Sequence, residues 1–313
     1  MSAPIVVAGS LNMDFVVQMQ ALPKPGETVR GWEFQLLPGG KGANQACAVG
    51  KLGGRGRMLG RVGDDVFGKK LGASLQAAGV DVGGVAKTAG EASGVALIFV
   101  QKGGQNMIVV AAGANGRFAP ADVEAAKDCL VKGGYLLLQL ESPQETVEAA
   151  AALARARGMA VILDPAPARP LSPALLANVD ILTPNETEAR ILLGLPPGNV
   201  SLADAPALAA KLRALGPKCV ILKLGDKGAY LADGKNDGAF PTLKVQAIDA
   251  TAAGDTFNGA LAVALAEGKG LPDAIRFANC AAAISVTRLG AQTSVPTRTE
   301  VDAELRALGG ASS

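Results

Sequence analysis

The chain has 313 residues, 49% of them hydrophobic, and sets 30 Lys and Arg against 28 Asp and Glu for a net charge of +2. The charges are interspersed, without the basic stripe and interleaved aromatics of a nucleic-acid surface, and no run of about 18 apolar residues occurs, so neither a nucleic-acid nor a membrane partner is expected. Histidine is absent, which removes His-based triads, His metal ligands and the commonest general base.

Acid–base work must then fall to a carboxylate, Lys, Tyr or Cys. Cys47, Cys129, Cys219 and Cys280 are far apart and form no CxxC pair, so they read as small buried hydrophobes in a reducing compartment. The N-terminus has no basic region and runs directly into Ile5-Val6-Val7-Ala8-Gly9. That reads as a first strand rather than a signal peptide, and the expected setting is cytoplasmic.

Asn12 and Asp14 follow this strand at alternate positions and so point the same way. Together they are able to grip vicinal hydroxyls, although Asx residues also commonly end strands. Phe15 to Leu37 has strand-like composition and leads into Pro38-Gly-Gly-Lys-Gly-Ala-Asn-Gln-Ala46, a Gly-rich entry to a helix. There Gly39 and Gly40 supply a hinge, Gly42 admits a ligand to the backbone, and Lys41 and Asn44 offer donors; an ordinary strand-to-helix turn has the same look. Ser93 to Ala112 reads as a hairpin with a turn at Gly103-Gly104. Neither strand-like segment contains a crossover helix, so the two are expected to form a β-layer, about 13–40 and 92–113, that covers the strand ends as a lid within one catalytic domain spanning 1–313. Edge strands of the main sheet are the alternative.

From about residue 130 the pattern alternates. Tyr135 to Leu140, Ala160 to Leu163, Asp180 to Leu182 and Cys219 to Leu224 read as strands, and Pro143 to Arg157, Glu186 to Leu193 and Ala205 to Leu215 as helices. This is the rhythm of an α/β protein whose parallel sheet carries helices on both faces, with ligands beyond the carboxyl ends of the strands. Glu141 occupies such a strand end. Thr183-Pro-Asn-Glu-Thr-Glu188 puts Asn185 and Glu188 within one helical turn, a pair suited to a hydrated Mg2+ or simply to an acidic helix start. Neither GxxxxGK[ST] nor GxGxxG occurs, which argues against a P-loop NTPase and a dinucleotide-binding dehydrogenase.

The strongest signal is Asp249-Ala-Thr-Ala-Ala-Gly-Asp-Thr-Phe257, after the apolar run Leu243 to Ile248 and at the head of an apolar helix. The small residues Ala252, Ala253 and Gly254 leave backbone N–H groups open at a helix N-terminus, a setting for an anion such as a migrating phosphoryl group. Asp255 beside it is either an acceptor for a hydroxyl proton or an N-cap. The helix N-terminus is expected to lower its pKa and make it a weak base.

Together with Gln139-Leu-Glu-Ser-Pro143, Asp164-Pro-Ala-Pro-Ala168 and Thr287-Arg-Leu-Gly-Ala291, these motifs resemble the ribokinase-like, or PfkB, family of carbohydrate kinases, in order and over almost the whole chain. The resemblance implies a Rossmann-like core with a β-sheet lid, ATP and Mg2+ as co-substrates, K+ as an activating cation, and phosphorylation of D-ribose at its 5-hydroxyl. The exposed face of the β-layer itself points to a homodimer formed through the lid. The resemblance assigns Asn12, Asp14, Gly40, Lys41, Gly42, Asn44 and Glu141 to the sugar, Asp255 to the base, and Ala252, Ala253 and Gly254 to the anion hole. Asn185, Lys223, Leu224, Gly225, Asp226, Gly228 and Asn279, with Gly254, are similar to the nucleotide site, and Glu188 to a glutamate linked to Mg2+ and phosphate. Asp249, Thr251, Ser285, Arg288, Gly290 and Ser294 are similar to the K+ site. Lys223 departs from the threonine frequent in such kinases, and Asn279 from a histidine found in some. The same chemistry on 2-deoxyribose, fructose or a nucleoside, or a sugar-sensing scaffold without catalysis, are the competing readings.

Overall fold

The computed structural model describes residues 2–103 and 105–310. In chain order its strands are β1 (Pro4–Ala8), β2 (Asn12–Met19), β3 (Gly31–Gly39), β4 (Arg55–Gly63), β5 (Asp81–Thr88), β6 (Gly94–Gln101), β7 (Asn106–Ala111), β8 (Tyr135–Leu138), β9 (Ala160–Leu163), β10 (Ile181–Leu182), β11 (Cys219–Lys223), β12 (Ala229–Ala232) and β13 (Gly238–Phe240). The helices are α1 (Lys41–Lys51), α2 (Val66–Ala77), α3 (Pro120–Ala125), α4 (Gln144–Ala156), α5 (Pro173–Leu176), α6 (Glu186–Leu192), α7 (Ala205–Arg213), α8 (Ala253–Ala266), α9 (Leu271–Ser285) and α10 (Arg298–Gly310). No helix among the described residues is long and apolar enough to cross a membrane.

A nine-stranded sheet runs β13-β12-β11-β10-β9-β8-β1-β4-β5. From β11 to β5 its neighbours pair in parallel, and β12 and β13 add an antiparallel edge. Alternation along each strand sends side chains to two cores. Ile5, Val7, Met58, Leu137, Ile162 and Ile221 face α1, α8 and α9, whereas Val6, Leu59, Leu136, Leu138, Val161 and Val220 face α4 and α7. Central strands therefore read as unbroken apolar runs, as expected of a sheet covered on both faces.

The helix α8 is buried from Asp255 to Ala266, hydrophobic on every side, and packs between α1 and α9. The apolar run before it, Leu243 to Ile248, forms no strand, and Val245 and Ile248 are exposed.

The two strand-like segments form a sheet of their own, β3-β2-β6-β7, and are not edges of the main sheet. The turn expected at Gly103-Gly104 joins β6 to β7; Gly103 has φ 103°, and Gly104 lies outside the described residues. The short connections from β1 to β2 and from β3 to α1 carry this small sheet directly off the C-terminal end of β1.

Candidate active site

Gly40 has φ 88°, and an added Cβ would meet the Asn12 nitrogen at 2.7 Å and the Ser10 carbonyl at 2.9 Å. Only glycine tolerates that backbone at that approach. The turn folds the start of α1 against the chain leaving β1, so that Asn12, Asp14, Lys41 and Asn44 share one recess with the loop after β8. Asn12 and Asp14 sit on β2, in the small sheet, and are 3% and 8% exposed. The Asn12 side chain is held by Asn115, whose Nδ2 donates to its Oδ1 at 2.8 Å.

Glu141 joins the same recess. Its Oε2 accepts from Ser10 Oγ at 2.6 Å and from the Lys41 amide at 3.1 Å. The carboxylate of Asp14 lies across Gly39, where any side chain would collide with it. Burial, followed by the charges of Glu141 and Asp255, pushes the Asp14 carboxyl up to about 7. Burial also pulls the Lys41 ammonium down, but Asp255, Asp164, Glu141 and Glu188 together outweigh it and raise its pKa.

At the head of α8, Ala252 takes φ 57°, the only positive φ of a non-glycine among the described residues. Such a turn costs about 1 kcal/mol and is retained where surrounding structure over-determines it. It starts α8 at Ala253 and leaves Asp255 in the first turn. Asp255 is 5% exposed; its Oδ2 accepts from Asn44 Nδ2 at 3.2 Å and its Oδ1 from Gln45 Nε2 at 3.0 Å.

The expected low pKa of Asp255 is overturned. Burial raises it to about 6, Lys41 opposes that rise, Asp164 adds to it, and the bonds from Gln45 and Asn44 lower it again. An N-terminal dipole acts within one turn at the surface. Here desolvation of a carboxylate inside an apolar helix pair is the larger effect.

Three residues absent from the expected set, Gln45, Asp164 and Gln139, extend this cluster toward the end of β11. Gln45 Nε2 also donates to Asp164 Oδ2 at 3.0 Å, and Lys223 Nζ donates to Asp164 Oδ1 at 2.9 Å. Gln139 Nε2 donates to Gln45 Oε1 at 2.7 Å and fixes the amide's orientation. All three lie inside motifs already singled out; the missing signal was which of the motif's side chains point inward.

Asn185 and Glu188 form a capping box at the start of α6. Asn185 donates to Glu188 through its backbone N–H at 2.7 Å and its Nδ2 at 2.8 Å, and Glu188 N–H returns the bond to Asn185 Oδ1 at 2.8 Å. Asn185 bridges to Lys223 in parallel pairing, which ties this helix start to the end of β11. Leu224, Gly225, Asp226 and Gly228 form the turn from β11 to β12, with Gly225 and Asp226 exposed. Asn279 is 5% exposed on α9, and its Nδ2 donates to the carbonyls of Phe240 at 2.9 Å and Pro241 at 3.3 Å.

The remaining residues gather behind α8. Asp249 accepts from the Thr251 amide at 2.9 Å, the Thr251 hydroxyl at 2.6 Å and the Gly290 amide at 2.9 Å, joining the two loops. Desolvation opposes these bonds, but they hold the Asp249 carboxyl below its ordinary value. Ser285 and Ser294 turn their hydroxyls onto the local carbonyls of Ala282 and Ala291, and the Arg288 guanidinium leaves to pair with Glu300.

A model of the pfkB family carbohydrate kinases matches residues 2–298. The chain belongs to that family. It is 42% identical to a ribokinase of Haemophilus influenzae over 303 residues, 96% of this chain and 97% of the relative. It is 37% identical to a deoxyribokinase of Salmonella typhimurium, over 93% of this chain and 95% of the other. Among solved structures, the ribokinase of Arabidopsis thaliana complexed with ribose and ATP superposes with a TM-score of 0.89 at 37% identity, covering 98% of this chain and 99% of that one. As a pfkB carbohydrate kinase the chain is an enzyme, and its mixed α/β core with a separate small sheet is the fold of these relatives.

Proposed function

We propose that this carbohydrate kinase transfers the γ-phosphoryl group of ATP to the 5-hydroxyl of D-ribose, giving D-ribose 5-phosphate and ADP. The observation that carries this reading is the buried recess in which lid, α1 and the loop after β8 converge on Asp255. A small polyol suits it. Asp14 and Glu141 accept from hydroxyls, Lys41 and Asn44 donate, and Asn44 Oδ1, buried without a partner, is free for one more hydroxyl. Asn12, Gly40 and Gly42 shape the wall.

The reacting oxygen forms its bond to the γ-phosphorus as the bond to the bridging oxygen of ADP breaks, and the hydroxyl proton passes to Asp255. The transition state is loose, so positioning and charge stabilisation matter more than a strong base. A carboxyl near 6 is ionised at neutral pH and still able to hold the proton afterwards. Backbone N–H groups of Ala252, Ala253 and Gly254 at the head of α8 take up charge on the phosphoryl oxygens.

The nucleotide lies along Asn185, Lys223, Leu224, Gly225, Asp226 and Gly228, with Asn279 bracing the wall next to the β13 end. Mg2+ neutralises phosphate charge when bound with ATP. Both Glu188 oxygens are taken by Asn185, which fits an ion held through its water shell rather than by direct ligation. K+ fits the loops joined by Asp249, on carbonyls of Thr251, Ser285, Arg288, Gly290 and Ser294.

The lid supplies a dimer surface. Trp32, Phe34, Met107, Ile108 and Val109 are each about half exposed, and a second copy of the chain would cover them. The free cysteines suit a reducing, ATP-containing cytoplasm, with 1–313 acting as one catalytic unit. Similarity to a deoxyribokinase favours 2-deoxyribose as the second substrate to consider.

ADP release with ATP and Mg2+ over D-ribose, 2-deoxy-D-ribose, D-fructose and adenosine tests the assignment. D-ribose is expected to give the highest kcat/KM. Turnover with none of the panel sinks the kinase assignment, and preference for another member replaces the sugar.

A further inference from the structure

Lys223 closes β11, and its ammonium pairs with Asp164 while their side chains are only 13% and 4% exposed. An ion pair this buried gains little net stability over an apolar pair of the same size, so it is retained for something other than folding. Its position indicates what. A Cβ placed on Gly254 would lie 3.2 Å from Lys223 Nζ, which puts the cation over the first turn of α8 with nothing from Gly254 in between.

Three hydrogen bonds in series connect that cation to Asp255. Asp164 takes Lys223 on Oδ1 and Gln45 Nε2 on Oδ2, and the same Gln45 nitrogen reaches Asp255 Oδ1. Asp164 accepts one of the three ammonium protons, and the others have no hydrogen-bond acceptor among the described residues. The side chain is thus aimed at the mouth of the helix and still has donors to give.

We propose that Lys223 is a catalytic residue that binds the oxygens of the phosphoryl group in transit, with Asp164 as the strut that holds it there. This rests on the phosphoryl-transfer reading above. As the bond to the acceptor oxygen forms and the bond to the ADP bridging oxygen breaks, negative charge spreads over the equatorial oxygens beside the head of α8. Lys223 remains protonated throughout, and the hydroxyl proton ends on Asp255. A fixed ammonium needs no reorganisation at that moment, which is where such groups act most strongly.

The test compares the parent with Lys223→Met, Lys223→Thr and Lys223→Arg. The readouts are kcat, the KM for sugar, thermal stability, and the affinity gain of ADP plus sugar when aluminium fluoride is added as a mimic of the phosphoryl group. Losing one such donor is expected to lower kcat about 100-fold while KM for the sugar stays within about 3-fold. The Met variant loses at least 10-fold of the aluminium-fluoride gain, and Arg restores part of both. The Thr variant keeps a donor for Asp164, so it decides the matter if Met does not fold. A folded Met or Thr variant with kcat within about 3-fold of the parent and the full aluminium-fluoride gain would overturn the proposal. A parent that phosphorylates no sugar would instead remove the reading beneath it.

Discussion

Gly259 of α8 faces Ala48 of α1 at a separation that leaves no room for a side chain. A Cβ on Gly259 would also approach the Gln45 carbonyl to 2.8 Å and the Val49 nitrogen to 3.2 Å. This contact sets the distance between the two helices, and the bonds from Asn44 and Gln45 to Asp255 depend on it.

Gly259→Ala therefore forces α1 away from α8 at a site where backbone, not a flexible side-chain end, must yield. Overpacking of this sort costs about 1–3 kcal/mol. A lowered Tm together with a kcat loss larger than the change in KM for sugar is expected. An unchanged Tm and unchanged kcat would mean the helix spacing does not govern the site.

Asp14 couples stability to pH. Its carboxyl is raised from 3.8 to about 7, so the folded state holds a proton that the unfolded chain has released. Its contribution to stability is then neutral below about pH 4 and turns unfavourable as pH rises toward 7. Asp14→Asn should raise the Tm by several degrees at pH 8, leave it nearly unchanged at pH 4, and increase the KM for sugar at least 10-fold. Melting curves at the two pH values check the sign: a gain at pH 4 as large as that at pH 8 would show that the charge is not its source.

The loops joined by Asp249 predict a cation requirement. Replacing K+ by Na+ should lower kcat several-fold, and Asp249→Ala should abolish the difference between the two ions by releasing Thr251 and Gly290. Steady-state rates in matched salts measure this, and equal activation by both ions in the parent would place the requirement elsewhere.

The parallel core was legible because β8 to β11 are short apolar runs separated by helical spacing, and the lid because two strand-like segments lacked a crossover. The N-terminal half was less so. β4, Arg55–Gly63, carries arginines and glycines at its exposed and close-packed positions and has no clean apolar period, although β1 and β5 pair on either side of it. Within the site, Asp255 and its neighbours followed from motif spacing. Its raised pKa did not, because the sequence displays the helix N-terminus but not the burial that outweighs it. Asn115, which holds Asn12, is distant in sequence and sits in no motif, so only the packed structure reveals it.

The most direct test of Asp255 as the proton acceptor is Asp255→Asn, which keeps shape and hydrogen-bond acceptance at one atom but cannot take the proton. Single-turnover rates and calorimetric ribose binding should be measured on the same preparation. A loss of about 1000-fold in rate with ribose affinity within about 3-fold is the predicted result, in line with removal of acid–base function. A folded variant with a near-parental rate would contradict the account.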